Sequence, residues 1–295
     1  MEELAGKVAV ITGAGSGLGR EFANTAARLG MKLVLADVNR DALAATVDAL
    51  RAQRAELVDQ RTDVGDERQV AALADAAYTT YGAVHLLFNN AGVGSGGLIW
   101  EASADEWRRV LDANLWGVIH GIRAFVPRML DAARGDAGYR AHIVNTASMA
   151  GLVNTPLSGV YNVSKHAVVS LSETLYHDLA LVTQQVRSSV LCPFFVPTGI
   201  AESMSRQAAQ LSTHSQRVAY TLLERAVSAG RVTAAQLADV TFDAVRRGDF
   251  YIFSHPHALD GVRARLDDIA HARTPSDPYA ARPDVRAQLE AALRR

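Results

Sequence analysis

Tyr161 and Lys165 lie four positions apart in a stretch of helical character, so both side chains are expected on one helix face. A free tyrosine has a pKa of about 10 and is a poor base at neutral pH. An ammonium within ~4–6 Å stabilises the phenolate and lowers that pKa by ~1–3 units. Ser148 lies upstream, where its hydroxyl is expected to hold a substrate oxygen near the phenol. The pattern predicts acid–base catalysis at Tyr161, although this spacing alone equally fits an ordinary stacked pair.

A glycine-rich turn near the N-terminus has the composition of a phosphate-binding loop. It spans residues 12–19, between a β-branched run and a helical stretch. The helix N-terminus offers free N–H groups and a positive dipole end to a pyrophosphate. Because Leu18 and Arg20 stand where the last glycine of Gly-x-Gly-x-x-Gly would fall, a tight turn without ligand is the alternative. We assign dinucleotide contacts to Gly13, Ser16, Gly17, Leu18 and Gly19.

Polar residues end the next apolar runs. Asp37 follows the second run, where a carboxylate accepts both ribose hydroxyls of an adenosine. A 2′-phosphate there would meet a like charge, at a cost on the order of several kcal/mol, which favours NAD over NADP. The nearby cation of Arg40 weakens this preference for NAD. A role for Asp37 in capping the next turn is the alternative to ribose binding. Asp63 is a candidate to accept a hydrogen bond from the adenine amino group, and a plain surface residue is the alternative. Asn90, Ala91 and Gly92 are expected to line the cofactor, with a simple turn as the alternative.

These motifs must be positioned by a repeated strand–helix pattern. Short apolar runs predict about seven strands, at residues 7–12, 32–36, 56–61, 85–88, 142–146, 186–192 and 250–253. Helical stretches separate them, which predicts an α/β fold with a single Rossmann-type doubly wound parallel sheet and helices on both faces. Ligands of such sheets bind beyond the carboxyl ends of the strands. Apart from Asn114, Tyr161 and Lys165, the cofactor and catalytic candidates begin within a few positions of those ends.

The chain divides into two expected parts. Residues 1–254 form the NAD-binding catalytic domain, and residues 255–295 form a C-terminal tail with short helices. Long helices are predicted at 104–130 and 161–181, and a surface loop at 131–140. Residues 198–230 are predicted to be a mixed, mobile substrate loop, followed by a helix that Thr233 caps. The tail is expected to cover the substrate opening or to contact a neighbouring subunit.

Composition excludes several classes of protein. The chain has 295 residues and a formal net charge of −1, so neither nucleic acid nor an anionic membrane is expected as a main partner. Its one cysteine, Cys192, sits in an apolar run, and its histidines lack ligand spacing, so no disulfide and no metal site are expected. Without a signal-peptide pattern or an apolar run of ~18 residues, we predict a cytoplasmic enzyme.

Together the motifs resemble the short-chain dehydrogenase/reductase family, over roughly residues 4–253. The resemblance rests on 12–19, 89–92, Asn114, Ser148 and the Tyr161–Lys165 pair. It implies that Asn114 is a fourth catalytic residue, which bends its helix and holds a water in a proton relay with Lys165. A buried helix asparagine that bonds its own backbone is the alternative. Lys165 would also bind the nicotinamide ribose, and further cofactor contacts are implied at Val64, Pro193, Val196 and Thr198.

The resemblance also implies a homodimer or homotetramer, formed through the helices around 105–130 and 161–181, and a helix pair buried within one subunit is the alternative. Two departures stand out: Phe194 replaces the glycine that usually follows Pro193, which narrows the pocket, and an Arg/Asp-rich tail replaces a glycine-rich ending. The sequence shows no pair of cationic residues placed to bind a phosphate or a diacid. Candidate wall residues, which fit a protein core equally well, are Val93, Ile99, Trp100, Leu152, Val153, Phe194, Phe195 and Met204.

We therefore expect an NAD-dependent oxidoreductase that interconverts a secondary alcohol and a ketone, with a lipophilic small-molecule substrate. An NADP-dependent carbonyl reductase with the same site is one alternative. A non-catalytic NAD-sensing protein on the same fold is the other. Because such proteins tend to lose the tyrosine or the lysine, the presence of both Tyr161 and Lys165 favours an enzyme.

Overall fold

The computed structural model describes residues 1, 3–196, 211–255 and 258–294. Within these residues seven parallel strands form one sheet in the order β3-β2-β1-β4-β5-β6-β7. The strands are β1 (Val8–Thr12), β2 (Lys32–Asp37), β3 (Leu57–Arg61), β4 (Leu86–Asn89), β5 (Ala141–Thr146), β6 (Val186–Cys192) and β7 (Tyr251–Phe253). The strand order reverses between β1 and β4, and such a switch point opens a ligand crevice beyond the strand ends. The predicted doubly wound sheet is confirmed.

Helices pack on both faces of this sheet. They are α1 (Gly17–Arg28), α2 (Arg40–Ala52), α3 (Glu67–Tyr81), α4 (Ala104–Leu111), α5 (Gly117–Gly135), α6 (Gly159–Val182), α7 (His214–Ser228), α8 (Ala234–Arg247), α9 (Leu259–Ala270) and α10 (Pro283–Leu293). A π-helical turn, Asp112–Trp116, joins α4 to α5. Short 3₁₀ turns occupy Ile99–Glu101 and Met149–Gly151.

Two apolar cores sandwich the sheet. Alternate side chains of each strand enter opposite cores, so a strand buried on both faces carries a continuous apolar run. In β1, Ile11 packs with α1, α2 and α8, whereas Val10 packs with α3, α5 and α6. In the first core, Phe22 of α1 stacks on Phe88 of β4 with ring centroids 4.3 Å apart. These cores fix the strand ends on which the candidate residues sit.

The helices differ from their predicted bounds in two places. The predicted helix at 104–130 is α4, the π-helical turn and α5, and α5 continues to Gly135 into the predicted loop. The expected mobile loop at 198–230 is wrong for 214–228, which form α7, while 198–210 lie outside the described residues. The signal for α7 was in the sequence, because Thr213 and Gln216 form a capping box at its start. Thr233 caps α8 in the same way, as predicted.

The tail carries α9 and α10, in agreement with the expected short helices. Helix α10 packs against α7 through Leu289, near Leu157 and Ala219. Among the helices that can be examined, none is both long and apolar enough to cross a bilayer.

Candidate active site

In the glycine loop between β1 and α1, backbone atoms lie too close together for a side chain at Gly19. Gly13 has a φ of +70°, and a Cβ on Gly19 would lie 2.0 Å from the Gly13 carbonyl oxygen. Ser16 precedes α1 but makes no side-chain capping bond, which leaves the first-turn N–H groups to a ligand. A cradle of small residues at an uncapped helix N-terminus suits a pyrophosphate, so this loop fits the phosphates of a dinucleotide.

Thr12 locks the loop to the neighbouring strand. Its Oγ1 accepts hydrogen bonds from the backbone N–H groups of Asn90, at 2.9 Å, and Ala91, at 3.1 Å. It donates to the Phe88 carbonyl oxygen at 3.1 Å, and the Asn90 amide donates back to the Thr12 carbonyl at 3.0 Å. These bonds hold the ends of β1 and β4 together at the switch point. The sequence places Thr12 in the loop, but no local pattern indicates this role.

Asp37 is held directly over the glycine loop. Its Oδ2 accepts from Gly15 N at 2.9 Å and its Oδ1 from Asn39 N at 2.8 Å. Asn39, rather than Asp37, caps α2 by accepting from Ala42 N. A Cβ on Gly15 would lie 2.9 Å from Asp37 Oδ2, so only glycine allows this approach. The carboxylate therefore lies beside the loop, in the cleft.

Asp63 and Val64 end the next crossover at the same edge of the sheet. Asp63 Oδ1 accepts from Gly65 N at 2.9 Å, which shapes a local turn. The Val64 carbonyl oxygen lies 2.9 Å from Nδ1 of the buried His120. Both residues line the cleft. Asp63 therefore shapes a turn and also lies where a cofactor contact was predicted.

Lys165 is a buried cation at the end of β5. It is 3% exposed, and its Nζ donates to the Thr146 carbonyl oxygen at 2.8 Å. The same Nζ lies 5.7 Å from the centroid of the Tyr161 ring. Burial disfavours the charged form and lowers the pKa of Lys165 to about 8. At neutral pH the ammonium is therefore retained with little margin.

Tyr161 departs from the sequence-based expectation. Burial raises the pKa of its phenol to about 12, and a hydrogen bond with Ser148 only partly offsets this effect. The expected lowering of this pKa is wrong for the protein without a ligand, because loss of water on burial dominates. The Lys165 ammonium is directed at the Thr146 carbonyl oxygen. Ser148 itself opens the 3₁₀ turn after β5 and accepts from Ala150 N at 3.1 Å. The phenol and the serine hydroxyl are thus neighbours, and their expected joint hold on a substrate oxygen stays a prediction.

Asn114 occupies the middle of the π-helical turn and is fully buried. Its Oδ1 accepts from Val93 N at 2.7 Å, and its Nδ2 donates to the Val93 carbonyl at 3.0 Å and to Ser164 Oγ at 3.1 Å. The expected irregularity of the helix is present, and the side chain bonds a neighbouring loop rather than its own helix. The arrangement holds Gly92 close to Lys165, because a Cβ on Gly92 would lie 3.6 Å from the lysine Nζ.

The predicted residues converge on one cleft of about 1540 Å³. All predicted cofactor and catalytic residues line it except Asn114, which lies behind Val93, and Thr198, which lies outside the described residues. Among the predicted wall residues, the lining set is Val93, Val153, Phe194 and Phe195.

The prediction that three further residues line the pocket wall is wrong. Ile99 packs on Gly159, Trp100 is 77% exposed, and Leu152 is half-buried against a core cluster, so none lines the cleft. Met204 lies outside the described residues. The sequence predicted a substrate loop at 198–230 and a tail over the substrate opening, but it identified no individual cleft residue of α7 or the tail, because their positions depend on long-range packing. The cleft residues that it missed include Leu222, Leu223, Ala226, Arg265, Ile269 and Tyr279.

Comparison with known proteins agrees with this geometry. Residues 7–209 match the family described as short chain dehydrogenase. The structure of a short chain dehydrogenase/reductase from Burkholderia phymatum in complex with NAD is 54% identical, with a TM-score of 0.89, and covers 94% of this chain and 99% of that chain. The 1-deoxy-11-beta-hydroxypentalenate dehydrogenase of Streptomyces avermitilis is 33% identical over 88% of this chain and 89% of its own length. The cyclohexanol dehydrogenase of Acinetobacter sp. strain SE19 is 36% identical over 65% of this chain and 74% of its own.

The chain belongs to the short-chain dehydrogenase family. It is an oxidoreductase acting on the alcohol–ketone couple. The resemblance drawn from the motifs is thereby confirmed.

The buried charge of Lys165 predicts an unusual pH dependence of stability. Its folded pKa, about 8, lies below its ordinary value of 10.5, so between these values the unfolded chain binds the extra proton. Unfolding free energy therefore rises with pH across that window, and below it the charge destabilises the fold by up to about 3 kcal/mol. We expect Lys165→Met to be more stable than the wild type at pH 7, with a difference that shrinks as the pH approaches 10.5.

Urea unfolding at several pH values measures this difference. Lys32→Met, which removes an exposed lysine paired with Glu56, is the control and should change stability by less than about 1 kcal/mol. A Lys165→Met variant that is less stable than the wild type at pH 7, or a difference independent of pH, would contradict the interpretation.

Proposed function

We propose that this enzyme uses NAD to interconvert a lipophilic secondary alcohol and its ketone. The observation that carries the proposal is the convergence of Ser148, Tyr161 and Lys165 on one cleft, at whose other end Asp37 overhangs the glycine loop. A proton-transfer group and a dinucleotide cradle in one crevice are what hydride chemistry at a carbinol carbon requires.

The preference for NAD rests on Asp37. Its carboxylate already accepts two backbone N–H bonds, so it is held in place as an anion beside the loop. A 2′-phosphate in this position would be repelled, whereas ribose hydroxyls donate to it. The similar Burkholderia phymatum enzyme, solved with NAD, supports the same choice. The residues that would hold the cofactor are Gly13, Ser16, Gly17, Leu18, Gly19, Asp37, Asp63, Val64, Asn90, Ala91, Gly92, Tyr161, Lys165, Pro193 and Val196, with Thr198 proposed from the resemblance alone.

The proposed chemistry uses the chain's own acid and base. The Ser148 hydroxyl and the Tyr161 phenol hold the substrate oxygen, and Tyr161 takes the hydroxyl proton during oxidation or returns it during reduction. The Lys165 ammonium stabilises the phenolate against the effect of burial. Bound oxidised nicotinamide supplies the hydride acceptor and a further positive charge. Asn114 has one unfilled lone pair on Oδ1, where we propose the relay water.

Lipophilic walls support the proposed substrate class. Val93, Val153 and Phe194 line the cleft from the sheet side, and Leu222 and Leu223 line it from α7. Apolar pockets with few polar groups bind substrates mainly by burial of apolar surface. Two relatives are named for cyclohexanol and for a hydroxypentalenate, and this supports a cyclic or otherwise bulky alcohol.

We further propose a cytoplasmic homodimer or homotetramer, with residues 1–254 as the catalytic domain. The support for assembly is apolar surface on the π-helical turn and α6, where Trp116 is 46% exposed, Val163 45% and Tyr176 43%. Sedimentation velocity of the wild type tests it, and a monomer at micromolar concentration would overturn the proposal.

Replacement of Tyr161 by Phe should lower kcat by about 10²–10⁴-fold, because it removes the proton-transfer group. NADH binding should stay close to that of the wild type, since the ring remains. Formation of NADH, followed by absorbance with cyclohexanol and larger cyclic or aromatic secondary alcohols, measures the effect. The control is Tyr251→Phe, whose hydroxyl bonds Glu173 on the surface. Unimpaired turnover by Tyr161→Phe, or turnover only of small sugars and hydroxy acids, would refute the proposal.

The wild type should bind NADH at least about tenfold more tightly than NADPH, a difference of ~1.4 kcal/mol. Asp37→Ser should narrow this preference, because the repulsion of the 2′-phosphate is removed. Asp41→Ser, on the exposed start of α2, should leave it intact. Titration of both cofactors by fluorescence gives the dissociation constants. Equal or tighter binding of NADPH by the wild type would favour the NADP-dependent alternative.

A further inference from the structure

Helix α9 of the tail packs beside the catalytic loop. A Cβ on Gly261 of α9 would lie 3.6 Å from Cγ1 of Val153, which follows the turn that Ser148 opens. Ala258 and Val262 pack against the core cluster that includes Met149. One face of α9 is therefore adjacent to the segment that carries the catalytic serine.

Arg265 occupies that inner face. It lies four positions after Gly261, so the two share one side of the helix, and both line the cleft. Arg265 is half-buried. Arg263, by contrast, is exposed on another side of α9 and pairs with Asp260 at 2.7 Å. The helix thus presents one arginine to solvent and one to the cleft.

The charge of Arg265 is not neutralised by the protein. Other charged tail residues that line the cleft have counter-charges: Asp268 with Arg273, Asp277 with Arg286, and Arg282 with Asp284. In the described part of the chain, no carboxylate lies within salt-bridge distance of Arg265, and no acceptor takes a hydrogen bond from it. Arg225 of α7 is also unpaired in the cleft, but it is exposed, where water screens its charge.

A half-buried guanidinium without a partner loses hydration and gains nothing in return. Arginine cannot relieve this cost by losing its proton, because a guanidinium stays charged in proteins. A planar carboxylate would satisfy it through two parallel charge-assisted hydrogen bonds. Val153, which lies against Gly261 of α9, and Phe194 line the same cleft. The cleft therefore holds apolar side chains as well as the Arg265 guanidinium and the Ser148–Tyr161 pair.

We propose that Arg265 binds a carboxylate on the substrate, so that the natural substrate is a lipophilic hydroxy or keto acid. Its reacting carbon lies at Ser148 and Tyr161, and its acid group lies at the tail. This inference rests on the proposed function of the same cleft and narrows its substrate class. The sequence-based expectation concerned a pair of cations for a phosphate or diacid. A single arginine for one carboxylate was not considered there, because α9 reaches the cleft by tertiary packing.

The test compares two probes of the same shape, octanoate and octanamide, by calorimetric titration of the full-length protein saturated with NADH. We expect octanoate to bind the wild type at least tenfold more tightly. Arg265→Gln should abolish this preference while leaving octanamide affinity unchanged, and Arg265→Lys should retain part of it because the charge remains. Arg263→Gln, on the same helix but away from the cleft, should preserve it fully.

Three results would overturn the proposal: equal affinity of the wild type for both probes, an undiminished preference in Arg265→Gln, or an equal loss in Arg263→Gln. Because binding is measured without turnover, the two proposals fail separately. Octanoate binding that depends on Arg265 in a protein that oxidises no alcohol would refute the hydride-transfer function alone. Oxidation of cyclohexanol without any preference for octanoate would refute the carboxylate subsite alone.

Discussion

The burial of one ammonium, that of Lys165, is the constraint on which the site depends. The group is bonded to the Thr146 carbonyl at 2.8 Å and removed from water, and its pKa falls to about 8. The fold thus retains a charge that opposes its own stability, a pattern typical of functional sites. The Tyr161 ring centroid lies 5.7 Å from this nitrogen, and Gly92 lies close both to it and to Asn114 Oδ1.

The parallel sheet makes this burial possible. Because all strands run the same way, their carboxyl ends meet at one edge, where the ends of β1, β4 and β5 supply Thr12, Asn90 and Thr146. Two apolar cores fix these ends, and the Thr12 bonds close the switch point between β1 and β4. Lys165 arrives from α6, which packs on β6 and on the 3₁₀ turn after Ser148. Positions far apart in sequence therefore meet within a few ångström.

The sheet and most of the site could be predicted because their signals are local. Apolar runs of strand length, such as the one ending at Thr12, and the four-residue spacing of Tyr161 and Lys165 need no knowledge of packing. The direction in which the Tyr161 pKa shifts could not be predicted, because it depends on how much water the folded cleft excludes. Trp100 shows a similar limit, since an apolar side chain beside a site faces solvent as readily as substrate. The positions of α7 and α9 depend on long-range contacts, those of Leu289 for α7 and of Val262 for α9, which leave no periodic pattern in the sequence.

The central claim is that the chain alone keeps Tyr161 protonated, and that positive charge beside the phenol makes it a base. NMR titration of protein labelled with ¹³C at the tyrosine Cζ tests this most directly, with Tyr161→Phe used to assign the signal and with NAD present or absent. The account predicts a phenol pKa of about 12 without the dinucleotide. It predicts a decrease of ~1–3 pH units in this pKa when NAD binds, because the oxidised nicotinamide brings a positive charge to the cleft. A Tyr161 pKa that is the same with and without NAD would contradict it.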